Sequence, residues 1–113
     1  MKLKTLKNII ENGGATLNKN GKAVNFKKGY QVSKKDCYKL DITNTAEILE
    51  AVNNLLNSID SKEFCGLWVE DDQIYIDISI KIDSLQKALT FGRAYNQISI
   101  FNWNTKKCIY CNN

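Results

Sequence analysis

The sequence predicts an α+β fold: an antiparallel sheet with helices on one face, in ferredoxin-like β-α-β-β-α-β order, preceded by an amino-terminal helix and a β ribbon. Three observations carry that expectation. Residues 74–82 hold isoleucine at every second position, with Tyr75, Asp77, Ser79 and Lys81 between, the period of a strand with one buried face. Residues 48–59 set Ile48, Leu49, Val52, Leu55, Leu56 and Ile59 at helical spacing. From residue 37 onward the two periods follow each other in the split βαβ sequence, whose sheet buries one face and leaves the other to water or a partner. At 113 residues the chain is expected to form a single domain, with a helix and lysine-rich ribbon over 1–36 and an α+β core over 37–113.

The elements follow in order. Leu3, Leu6, Ile9 and Ile10 form an apolar stripe on a short helix that Gly13-Gly14 stops. Residues 15–17 and 23–26 flank Asn18-Lys19-Asn20-Gly21-Lys22, in which Asn-Gly is a tight-turn signal, so a small hairpin is expected there. Residues 30–33 read as a separate extended piece, and Tyr38, Leu40 and Ile42 as a half-buried strand. Asn44 with Glu47 has the spacing of a capping box for the long helix, and Asp83 with Gln86 that of a cap for the next. That second helix buries Leu85, Ala88, Leu89, Gly92 and Tyr95. Gly92 costs about 1 kcal/mol in a helix interior, which close packing on a strand would offset. Asn96-Gln97 closes the helix, and strands over 98–103 and 107–110 finish the sheet.

A two-residue loop at Asp71-Asp72 would set Val69, Leu67 and Cys65 opposite Ile74, Ile76 and Ile78, facing inward. Trp68, Gly66 and Phe64 would then oppose Tyr75, Asp77 and Ser79 on the outer face. Phe64, Trp68 and Tyr75 thereby become an aromatic cluster with Asp77 among them, and these four are the candidate partner-binding residues of the sheet. Exposed Trp and Tyr often dominate protein–protein binding energy, and they also stack bases in single-strand binders. The competing expectation is that residues 1–36 fold back and seal this face.

Charge divides the chain. Residues 1–40 carry ten lysines against Glu11 and Asp36, a net of +8, and the remainder is net −4. Lys19, Lys22, Lys27 and Lys28 on the ribbon are candidates for steering toward a partner, which makes a nucleic-acid-binding accessory protein the alternative reading. Acids at 70–72 and Asp77 oppose phosphate on the hairpin itself.

No enzyme is expected. The chain has no histidine for general acid–base work, no glycine-rich loop before a helix and no nucleophile elbow. Four cysteines include one C-x-x-C pair, where an all-thiolate zinc site usually has two, so no metal or cofactor is expected and the thiols are read as free in a reducing cytoplasm. The longest apolar runs are far short of the ~18 residues that suggest a membrane span.

Gly29-Tyr30-Gln31-Val32-Ser33, Gly66-Leu67-Trp68, Tyr75-Ile76-Asp77-Ile78-Ser79, Ala88-Leu89 with Gly92-Arg93, and residues 96–101 occur in an order that resembles small accessory proteins of phages and other mobile elements of low-GC bacteria. That resemblance spans roughly residues 29–103. It implies a non-catalytic inhibitor of a bacterial defence system, of anti-CRISPR type, whose partner is a host defence protein or nucleoprotein complex such as a CRISPR effector. It transfers no catalytic residue.

Overall fold

The Asp71–Asp72 turn sets the register on which the rest of the sheet is built. In the computed structural model, which describes residues 1–111, both aspartates have positive φ (51° and 62°). Positive φ at both central residues is the mirror-image turn whose twist matches a two-residue hairpin. It joins β3 (Glu63–Glu70) to β4 (Gln73–Ile82) with Val69 opposite Ile74, Leu67 opposite Ile76, Trp68 opposite Tyr75 and Phe64 opposite Ser79, as the alternation predicts.

The remaining elements are α1 (Leu3–Asn12), β1 (Gly14–Leu17), β2 (Tyr30–Asp41), α2 (Thr45–Ser58), α3 (Leu85–Ala94), β5 (Ser99–Asn102) and β6 (Lys107–Tyr110). All strand pairs are antiparallel, in the order β1-β3-β4-β2-β5-β6. The fold is therefore α+β, but six strands in this order do not make a simple four-stranded ferredoxin-like sheet.

The largest departure from expectation is β2. Residues 30–33 and 38–41 belong to one long strand along β4, with register shifts between Ser33 and Lys35 and between Asp36 and Tyr38. Each shift sets one extra residue into β2, and the two reversals of side cancel. Val32 and Leu40 consequently oppose Ile80 and Ile74 on the same inner face. The expected division at residue 36/37 thus falls inside a continuous strand. The ribbon is also smaller than the turn signal suggests. Residues 14–17 pair with β3, and the expected hairpin is confined to a Leu17–Ala23 bridge flanked by the Asn18 N–H to Lys22 carbonyl and Val24 N–H to Thr16 carbonyl bonds (both 2.8 Å).

Helices α1 and α2 and the inner faces of β3 and β4 share one core: Leu6 and Ile9; Ile48, Val52 and Leu55; Cys65 and Leu67; Ile74 and Ile76. Around Val32, Ala88, Ile100 and Cys111 a second cluster joins α3 to β2 and β5. Gly92 lets α3 approach, since a Cβ there would stand 2.6 Å from Cys111 Sγ and 3.0 Å from Ile100 Cγ2. Leu3 and Leu85 instead remain exposed at the first turns of their helices.

Neither expected capping box forms. Asn44 precedes α2 without a side-chain cap bond, and Asp41 takes the local donors instead, accepting from Thr43 N–H (2.9 Å) and Oγ1 (2.7 Å). Ser84 caps α3 by accepting from Lys87 N–H, while Asp83 pairs with Lys81 (2.6 Å). Asn96 closes α3 with φ 58°, the left-handed position that asparagine tolerates. No helix among the described residues is long and apolar enough to cross a membrane.

Candidate functional site

The outer face of the sheet is built from cross-strand rows. Gly14, Trp68, Tyr75 and Lys39 stand side by side across β1, β3, β4 and β2. Thr16, Gly66, Asp77 and Asp36 form the next row, followed by Phe64, Ser79 and Ser33. Lys81, Gln31 and Phe101 form the row beyond.

The Lys81 end is covered. Residues 24–28 cross it and place Phe26 edge-on against Phe64 (ring centroids 5.7 Å apart) and Trp103 (5.5 Å). Trp103 Nε1–H donates to Gln31 Oε1 (3.0 Å), and Gln31 Nε2–H donates to Ser79 Oγ (2.9 Å). With their partners supplied, these polar groups can be buried: Gln31 is 7% exposed and Ser79 3%. Lys81 and Lys106 lay their ammonium groups over Phe26 (4.8 Å) and Trp103 (4.5 Å). The amino-terminal segment does fold back, as one expectation held, but it covers only this half; α1 packs with α2 on the isoleucine face.

The Tyr75 end is open. Trp68 is 50% exposed and Tyr75 36%, and no hydrogen bond engages the Trp68 indole among the described residues. Lys39 Nζ lies 5.5 Å from the Tyr75 ring centroid. Beyond this row stand Glu70, Gln73 and Asp41, then the Asp71–Asp72 turn, so the rim is predominantly acidic. A shallow depression of about 310 Å³ beside Tyr75 is lined by Asp36, Cys37, Tyr38 and Lys39.

Between the halves lies Asp77. It faces Asp36 in register and rests on Gly66, where a Cβ would stand 2.2 Å from Asp77 Oδ1. That oxygen is buried and has no hydrogen-bond partner. Burial, with the Asp36 charge adding to it, pushes the Asp77 carboxyl up to about 6.

The structure thus brings together Trp68, Tyr75 and Asp77 but separates Phe64, which is half-buried against Phe26 across the Gly66 gap. The three-ring cluster expected from parity is a pair. The four ribbon lysines also lie elsewhere. Lys19 Nζ donates to the Ile59 carbonyl below α2, and Lys22 sits on the 18–22 loop near it. Lys27 and Lys28 precede Gly29, which packs on Lys81 and Asp83, six residues (about 20 Å) from Tyr75 along β4. They therefore do not line the aromatic pair.

Asp36 is a site residue that alternation alone does not reveal, because the two bulges in β2 decide which way it faces; Lys39 joins the site from the regular 38–41 alternation. All four cysteines are free. Among the described residues no three potential ligands gather as a metal site would require. No family model, no curated protein and no solved structure matches the chain.

Proposed function

We propose that this protein is a non-catalytic binding module that docks onto a basic protein surface through the open end of its sheet. In the setting implied by its resemblance to phage accessory proteins, it inhibits a bacterial defence complex, in the manner of an anti-CRISPR protein, within the host cytoplasm. The observation that carries the reading is the exposed Trp68–Tyr75 pair on a rigid central hairpin. Rings held on strands lose little freedom on binding and supply the large apolar contact that anchors interfaces. The charge around them selects the partner: Glu70, Asp71, Asp72, Asp41 and Asp36 against Lys39 favour a lysine- and arginine-rich surface over a phosphate backbone. The nucleic-acid-binding surface of a defence nucleoprotein has that character. The proposal also takes β2-α2-β3-β4-α3-β5 as a ferredoxin-like core extended at both edges; the antiparallel central order β5-β2-β4-β3 supports this.

Replacing both rings (Trp68→Ala with Tyr75→Ala) is expected to abolish inhibition of the defence complex while the circular dichroism of the domain is preserved. Full inhibition by the folded double variant would reject this face.

One observation favours a second reading at the other end of the molecule. Lys27, Lys28 and Lys106 are exposed around the Phe26 cover, a basic patch remote from the acidic rim. A nucleic acid bound there would weaken steeply with salt through loss of counterion release. Gel shifts at two salt concentrations test it, and the absence of a shift at low salt removes it.

A further inference from the structure

Asp77 Oδ1 is the single buried side-chain polar atom without a hydrogen-bond partner among the described residues. Three strands surround its carboxyl. From β3 comes only Gly66, whose bare Cα provides the space the carboxyl occupies and whose N–H, with the Ser33 hydroxyl of β2, favours the ionised form against burial. From β2 come Asp36 in register and Ser33 and Cys37 nearby, while Lys35 stands opposite Ile78 on the inner side. Along β4 its same-face neighbours are Tyr75 and Ser79. The charged group acting on Asp77 is another acid, Asp36, and no lysine or arginine is among the groups that shift it. The carboxylate forms at neutral pH but is less favoured there than in water, and an approaching cation would stabilise it.

The row arrangement indicates which cation. Two acidic residues face each other in register, one row from an exposed tyrosine ring, and Asp36 lines the depression beside Tyr75. A guanidinium suits this arrangement, because its planar fork can bond two carboxylates while its face stacks on an aromatic ring. Lys39, over the Tyr75 ring in the free protein, holds the position that such a group would take. A metal ion is a poorer fit, because no third ligand joins the pair among the described residues.

We propose that Asp36 and Asp77 form a receptor for one arginine side chain of the partner, with Tyr75 stacking on its guanidinium. The proposal deepens the reading of the open end as a docking face for a basic surface and rests on it. Below about pH 6 docking then releases a proton: the Asp77 carboxyl, raised to about 6 in the free protein, ionises as the guanidinium arrives, so affinity rises with pH up to that range and levels off above it. A carboxyl returned to about 4 in the complex corresponds to roughly tenfold tighter binding at pH 7.5 than at pH 5.

The test uses the full chain with hexa-arginine and hexalysine peptides, read by tryptophan fluorescence and by the ¹³C shift of the Asp77 carboxyl. Hexa-arginine should lower the pH at which Asp77 titrates and bind about tenfold tighter at pH 7.5 than at pH 5. In Asp77→Asn binding should weaken and its pH dependence should disappear; in Asp36→Asn, on the exposed surface, binding should weaken while a pH dependence remains, because burial alone still raises Asp77. Equal binding of hexalysine overturns the guanidinium assignment, and an Asp77 titration unmoved by hexa-arginine overturns the receptor. The failures separate. Inhibition that survives loss of both aromatic rings defeats the docking face, whereas inhibition lost there but unchanged by Asp36→Asn and Asp77→Asn defeats only the receptor.

Discussion

Trp103 and Trp68 lie on the same face of one sheet, about 20 Å apart along the strands, in opposite surroundings. Trp103 is 7% exposed, its indole N–H is bonded to Gln31, and Phe26 and Phe101 pack on its ring. Trp68 is half exposed, Lys39 lies over the neighbouring Tyr75 ring, and one carboxyl oxygen of the acid in the next row is buried without a hydrogen-bond partner. At the covered end no buried side-chain polar atom is left unmatched among the described residues, which is how a chain closes a surface it does not need. At the open end an apolar ring and an unsatisfied carboxyl are left together. That combination adds little to the isolated fold and suits a contact made later.

The comparison is broken most severely at Trp103. Trp103→Ala is expected to cost about 3–5 kcal/mol, because it empties a large buried volume and leaves Gln31 Oε1 without its donor. Urea denaturation followed by circular dichroism measures it. A loss below ~1 kcal/mol would mean that the covered end is not a second core. Phe26→Ala comes next, at about 2–3 kcal/mol for a half-buried ring that touches both Phe64 and Trp103. It should also make Trp103 accessible to acrylamide quenching, while unchanged quenching would show that Phe26 is not the cover.

The contrast between the two ends was only half legible in the sequence. The Ile74–Ile82 alternation and the Asp71-Asp72 turn sufficed to place Trp68 opposite Tyr75, because a hairpin register is a local property of period and turn. The partition of the outer face was not local. Phe26 reaches Phe64 across nearly forty residues of chain, and Gln31 meets Trp103 seventy-two residues away. Nothing in the spacing of either segment encodes those meetings. The joining of residues 30–33 and 38–41 into β2 was hidden for another reason: Lys34 and Cys37 are bulge residues that interrupt the alternation twice, and two interruptions in seven residues resemble a loop. The caps failed where a nearer group competed, Asp41 with Thr43 at α2 and Ser84 at α3. Ion pairing of Lys81 with Asp83 also removed the expected capping aspartate.

The third change reverses sign. Asp77→Asn should stabilise the protein at pH 7.5 by about 1–2 kcal/mol, by removing a buried charge while keeping the shape. The sign follows from linkage. Asp77 is raised from 3.8 to about 6 in the folded protein, so its contribution to stability is fully present below about pH 4 and is lost as pH rises through 6. The complete equivalent of that shift is about 3 kcal/mol, discounted here because the residue keeps some contact with water. Asp41, Glu63 and Asp83 act oppositely. Hydrogen bonds from Thr43, Lys34 and Lys81 hold them below their ordinary values, and their contributions fade as pH falls. Wild type and variant share those three groups, so the difference between their stability–pH curves isolates Asp77. A difference that is flat from pH 4 to pH 7.5 would show Asp77 to be an ordinary solvated acid.

The smallest expected change in stability is at Trp68. Trp68→Ala removes a ring that is half in water, makes no hydrogen bond through its N–H among the described residues and sits on a strand whose register is set by the turn and by the isoleucine layer on the other side. The loss of cross-strand contact with Tyr75 should therefore cost under ~1 kcal/mol. The midpoint of urea unfolding should move little and the buried Trp103 emission should be unchanged, since Trp103 lies three rows away in its own aromatic cover. If Trp68→Ala instead destabilises the domain as severely as Trp103→Ala, the open end is carrying the fold, and its rings can no longer be regarded as free for a partner.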